Sequence, residues 1–154
     1  MKKVLIFLLI SVLVLLTPAL IYAENGPVEK ATGSIEAIMG NVHLYADFNA
    51  HEATDSKTCK GIYHAWGNVG PNALNWYGDI NTVIIDGNTA TLHGTFASGI
   101  EETGNSPIGQ QFTLHMTDGG SPGAGNDTFK SGWGSTATFT WTIVSGNLVV
   151  HTYD

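Results

Sequence analysis

The sequence predicts an all-β domain, an antiparallel β-sandwich or Greek-key barrel of about eight strands. Apolar residues alternate at period two almost everywhere after Gly33, as half-buried antiparallel strands require. The runs are separated by Gly- and Asn-rich turns. No stretch beyond the N-terminus combines helical periodicity with capping residues.

The strands are expected near 33–39, 41–50, 60–66, 79–85, 89–98, 110–118, 136–145 and 147–153. In "NVHLYADFNA", Val42, Leu44, Ala46 and Phe48 share one face, opposite His43, Tyr45, Asp47 and Asn49. In "TATLHGTFAS", Ala90, Leu92 and Phe96 lie opposite Thr91, His93 and Thr95. "QFTLHMTD" sets Phe112, Leu114 and Met116 against Thr113, His115 and Thr117. "TATFTWTIVS" sets Ala137, Phe139, Trp141 and Ile143 against threonines. Asp86-Gly87-Asn88 and Ser145-Gly146-Asn147 read as hairpin turns, since Gly and Asn supply positive φ angles. Longer connections are expected at 51–59, 67–78 and 99–109, besides the loop between Asp118 and Asp127. About eight short strands joined in this way make a sandwich or barrel.

The N-terminus reads as a targeting segment. Two lysines precede an apolar run from Val4 to Leu16, then Pro18 and a small residue, Ala23. That pattern is a secretory signal peptide over 1–23, cleaved after Ala23. An uncleaved anchor is the alternative, because extending the run to Tyr22 nearly reaches the roughly 20 residues of a membrane span. Cleavage leaves 131 residues, Glu24 to Asp154. These divide into an extended segment, 24–32, and one secreted β-domain, 33–154.

Charge and cysteine content narrow the partners. The chain has no arginine, and loss of Lys2 and Lys3 takes the formal charge from −7 to −9. The four remaining lysines are scattered, so no concentrated basic surface can form for nucleic acid or anionic lipid. The expected partner is an extracellular ligand or surface component, with no membrane contact after cleavage. The single cysteine, Cys59, allows no intrachain disulfide.

Four groups of residues could carry a function. Asp118, Asn126 and Asp127 flank or end "DGGSPGAGND", and carboxylates with exposed carbonyls suit calcium. The alternative is structural, with each aspartate bonding backbone amides of its own turn. His43, His93 and His115 lie opposite the apolar faces and could share a zinc ion if their strands were neighbours. Trp66, Trp76, Tyr77 and Trp133 could stack on a sugar if exposed, or fill the core if not. Trp76 and Tyr77 point to opposite sides, so one ring is expected outside. Ser121 lies in a G-x-S-x-G spelling, Gly119 to Gly123, but no helical pattern follows it, so no nucleophile-elbow or triad signature is present. Cys59 and His64 are five apart, so they face opposite ways on a strand. Glu101-Glu102 could serve a glycosidase, but adjacent carboxylates usually mark a solvated turn.

Three segments carry a resemblance: "DGNTATLHGTF", "DGGSPGAGNDTF" and "SGNLVVH", with "GSIEAIMGNVHLYADFNAHE" at the start. Together they resemble a family of small secreted bacterial β-domains of the post-COAP type. The matching positions are Asp118, Gly120, Pro122, Gly123, Asp127 and Phe129 in the loop, and Asn147 and His151 at the end. The resemblance implies an extracellular β-fold, alone or appended to larger surface proteins, and brings no assigned activity. His43, His93 and His115 lie outside its pattern.

The expected function is a non-catalytic extracellular or cell-surface binding or structural module, which calcium could steady. A carbohydrate-binding module and a small metal-dependent hydrolase are the alternatives. The segment Glu24 to Thr32 could also add a strand to a second copy.

Overall fold

The computed structural model of the chain describes residues 29–52, 59–101, 106–134 and 138–152. Residues 1–28 lie outside them, and with them the expected signal peptide and most of the segment 24–32. The described residues form eight strands and no helix. These are β1 (Lys30–Met39), β2 (Val42–Glu52), β3 (Cys59–Val69), β4 (Asn72–Asp86), β5 (Thr89–Glu101), β6 (Gln111–Thr117), β7 (Thr128–Trp133) and β8 (Phe139–His151).

Every strand pairs antiparallel with the next, and β8 returns to pair with β1. The result is a closed up-and-down barrel. The predicted all-β class stands, and its connectivity is simpler than two facing sheets or a Greek key. The reason lies in the turns. Each link between successive strands is local, so no strand needs a long return path.

Closure gives the barrel two distinct ends. The β1–β2 and β3–β4 turns, the β5–β6 link and the β7–β8 link lie at one end, called here the mouth. At the other lie the β4–β5 turn, the 118–127 loop, the start of β1 and the end of β8.

Period-two alternation puts the apolar residues inside. The inward wall of β1 to β3 is built mainly from small residues, Ala31, Gly33, Ala37, Ala46, Ala50 and Ala65. The facing wall supplies large ones, including Phe96, Phe112, Leu114, Phe129 and Trp141. Small against large is how a narrow barrel fits its rings. Phe112 lies over Gly78 and Gly94, and Phe48 lies over Gly33, leaving no room for a Cβ at any of the three. Phe48 and Phe129 stack at 6.3 Å, and Phe129 is fully buried. Burying one such ring contributes about 2–3 kcal/mol.

Four boundaries differ from the sequence expectation. β1 begins at Lys30, and Lys30 to Thr32 are paired with β2 and β8, so these three residues are not a free arm. The stretch 67–78 is no long connection, because β3 turns tightly at Gly70-Pro71 into a β4 that starts at Asn72. β7 was not predicted; its inward set is Phe129, Ser131 and Trp133, and the serine breaks the apolar signal. Finally, 136–145 and 147–153 are one strand. Gly146 keeps a positive φ of 95° but pairs in register with Ile35 rather than making a hairpin turn, and the β-bulge opposite Glu36/Ala37 falls just before it, with Val144 as the extra residue.

Candidate functional site

The 118–127 loop is held by its two aspartates. Asp118 Oδ1 accepts the amide of Gly120 at 2.9 Å, and Oδ2 accepts that of Val150 at 3.1 Å. Asp127 Oδ1 accepts Gly119 N at 2.9 Å, and Oδ2 accepts Leu148 N at 2.7 Å. The four carboxylate oxygens thus meet four backbone amides, two of them in β8. Asn88 completes the clamp from the β4–β5 turn, accepting the Asp118 amide on its carbonyl at 2.8 Å and donating Nδ2 to Asp118 O at 2.7 Å. Asn126 donates Nδ2 to Pro122 O at 2.7 Å. A side chain at Gly123 would strike Gly146 O and Asn147 Cα, so the loop lies directly against β8. This geometry is that of the structural alternative. Its oxygens are directed along separate amides rather than toward one cation position.

The histidines do not converge. His43 is on β2, while His93 and His115 are on β5 and β6, with β3 and β4 between. His43 Nε2 meets Glu36 Oε1 at 2.7 Å. His93 pairs with Thr113 and His115 with Thr91, each at 3.0 Å, as reciprocal cross-strand contacts. Among the described residues no group of three or more His, Cys, Asp or Glu side chains gathers at one point. The shared zinc site is therefore corrected: parity put three imidazoles outside, but strand order separates them.

Cys59 is half-buried against the core, opposite in face to His64. Burial, with the Glu52 charge beside it, pushes its thiol up and away from the nucleophilic thiolate. The side chains of Glu101 and Glu102 lie outside the described residues.

The aromatic set divides between two faces. Outside, five rings form a diagonal ladder across β2, β3 and β4. His43 contacts Tyr45 at 5.1 Å, Tyr45 stacks on Trp66 at 5.5 Å, Trp66 on His64 at 4.4 Å, and His64 on Tyr77 at 4.1 Å. The first contact is tilted at 50°, and the other three are stacked within 24°. Tyr77, 45 % exposed, ends the ladder. Its head is anchored at Glu36, which also accepts Ser145 Oγ at 2.9 Å and Tyr45 Oη at 3.4 Å. The hydrogen bond from Ser145, then that from His43, hold the Glu36 carboxyl below its ordinary range.

Trp76 and Trp133 belong to the inside, which corrects their place in an exposed platform. Trp76 is 7 % exposed and packs edge-on to Phe96 at 5.6 Å and Trp133 at 5.4 Å. Together with Trp141, Phe112, Tyr63 and Leu74 they surround a cavity of about 210 Å³ near the mouth. Met39, Val42 and Trp133 form its half-buried rim. Among the described residues no charged side chain lines it. Burial pushes the Tyr63 hydroxyl far above its ordinary range, so it stays protonated. Ser131, buried on β7, accepts Trp141 Nε1 at 2.8 Å.

Sequence reasoning missed this cavity. Its signal was available in the inward alternation of Leu74 and Trp76 at the start of β4, and of Phe129 and Trp133 in β7, had both stretches been read as strand.

The fold and the site define an eight-stranded up-and-down β-barrel with an apolar internal cavity. Comparison with protein families, with curated proteins and with solved structures finds no match to this chain.

Proposed function

We propose that the protein is a non-catalytic binding protein that holds one small, largely apolar molecule inside its barrel. The carrying observation is the aromatic-walled cavity at the mouth. Eight-stranded barrels are just wide enough to be filled by side chains or to hold one small ligand. In this one Phe48, Phe129 and Leu148 are buried toward the base, and the cavity lies toward the mouth. Ligand pockets are commonly apolar and concave, with a few polar groups that fix orientation. The N-terminal pattern supports action outside the cell, and the resemblance to secreted bacterial domains agrees with it.

Small aromatic probes titrated into the purified protein test the reading through its tryptophan fluorescence. Saturable quenching that is lost in Leu74→Trp, which fills the cavity, is expected. Quenching that persists unchanged in that variant places the probe elsewhere and sinks the proposal.

A second reading rests on the outer ladder. Tyr77, with His64 and the groove beside Asp79 and Ser98, offers an exposed ring to a sugar. A glycan panel separates the two readings, because a sugar bound at Tyr77 is lost in Tyr77→Ala and kept in Leu74→Trp.

A further inference from the structure

Two β-bulges shape the outer face of β4 and β5. Ser98 pairs with Tyr77 and Phe96 with Gly78, so Ala97 is an extra residue on β5. A second irregularity, between Ile80 and Thr82, leaves Asn81 without a register partner on β5. Asp79 is presented between the two, and bulges re-aim side chains beside functional sites. Next to them, on the outside of β2 to β5, lies a groove of about 480 Å³, within the roughly 300–1,000 Å³ of ordinary ligand sites. The strand residues around it, 45–51, 60–66, 75–82 and 93–100, are all among those described.

The groove combines an exposed ring with two carboxylates. Tyr77 stacks on His64, which is itself fixed by Nε2 against Asn75 Oδ1 at 2.8 Å. The register partner of Tyr77 on β5 is the small Ser98, so no large side chain stands across from the ring on that strand. Asp47, in register with His64, and Asp79, in register with Ile62, line the same groove. Among the described residues, neither carboxylate makes a hydrogen bond or an ion pair. Asp47 Oδ1 is buried without a partner, and Oδ2 is not shut in the same way. A carboxylate shares its charge between both oxygens, so a cation at the open one relieves the whole group. Among the described residues no lysine lines the groove. Lys60 lines the next depression toward the base, where it makes no ion pair with Asp79.

A neutral sugar could stack on Tyr77 and donate hydroxyl protons to the carboxylates. An ammonium group donates charge-assisted hydrogen bonds, roughly twice as strong, and is drawn to an aromatic face besides. We infer that the groove takes an amino sugar, with its ring against Tyr77 and its ammonium at Asp79, and with Asp47 adding to the attraction from across the groove. The inference rests on the outer groove being a sugar site, the second of the two readings above.

The trimers of glucosamine and of N-acetylglucosamine test it by calorimetric titration. They share one ring and linkage, and only the first carries protonated amines. The glucosamine trimer is expected to bind the purified protein about tenfold more tightly, the worth of one charge-assisted hydrogen bond over a neutral one. The preference should shrink as salt is added and vanish in Asp79→Asn, an exposed change that keeps the side chain's shape. In the unaltered protein, the Tyr77 ring signals should shift with the glucosamine trimer, a readout that does not depend on any variant. Equal binding of the two trimers, or tighter binding of the acetylated one, overturns the amine while leaving a sugar site that Tyr77→Ala abolishes. A preference that survives in both Asp79→Asn and Asp47→Asn shows general attraction to an acidic protein and overturns the assignment to this groove. Failure of both trimers to bind overturns the sugar reading itself, and the inference with it.

Discussion

Asp127 is 7 % exposed and accepts two backbone amides, one from its own loop and one from Leu148 in β8. Truncation would leave the buried Leu148 amide without an acceptor. Asp127→Ala should therefore destabilise the protein by about 3 kcal/mol, measured by urea unfolding. Asp118, less buried and bonded in the same manner, should cost about 1 kcal/mol on the same change. Because these oxygens are directed at amides, the melting curve should be the same in calcium and in EDTA. A rise in Tm with calcium would show a bound ion. Glu36 gives a prediction in pH. Its carboxyl is lowered first by Ser145, so Ser145→Ala should raise its titration midpoint, read by NMR of the side chain. The sign for stability follows from the direction. A lowered folded-state value stabilises the protein above the ordinary carboxylate range and ceases to do so as pH falls through the lowered value.

At the scale of elements, glycine position decides what a substitution costs. Gly146 sits at positive φ in β8, paired with Ile35 beside the bulge at Val144, and a Cβ there would meet the carbonyl oxygen of Ser34. Gly146→Ala should cost about 3 kcal/mol, from backbone strain and the clash together. Gly87 has φ 58° in the β4–β5 turn with open space around it, so Gly87→Ala should cost only about 1 kcal/mol. Thermal unfolding of the two variants side by side checks the contrast. The same pair shows what was legible. "IIDGNTA" and "IVSGNLVV" look alike in sequence, and both glycines have positive φ. One makes a hairpin and the other lies within a continuous strand, because β1 runs past Gly146 and holds the strand on both sides of it. Only the partner strand distinguishes them. Period two revealed β2, β5 and β6 with nearly correct ends. It failed for β7, where Ser131 occupies an inward position to receive the Trp141 N–H. The cavity was hidden for the same reason, since it needs both β7 and the first half of β4.

At the scale of the whole molecule, closure of β8 on β1 removes the free sheet edges that promote association. The seams are unequal. β7 and β8 share three paired positions among the described residues, whereas β1 and β2 share ten. Amide hydrogen exchange should be fastest along the β7–β8 seam and slowest where β4, β5 and β6 enclose Leu92 and Leu114. That seam carries Ser131 and Trp133 from one side and Trp141 from the other, so an occupant of the cavity should slow exchange there first.

The even number of strands has one more consequence. Lys30 and His151 are register partners at the end away from the mouth. Whatever is joined ahead of β1 or after β8 leaves from the base of the barrel. A reporter protein or an immobilising tag attached at either place would grip the cup by its foot and leave the rim formed by Met39, Val42 and Trp133 uncovered.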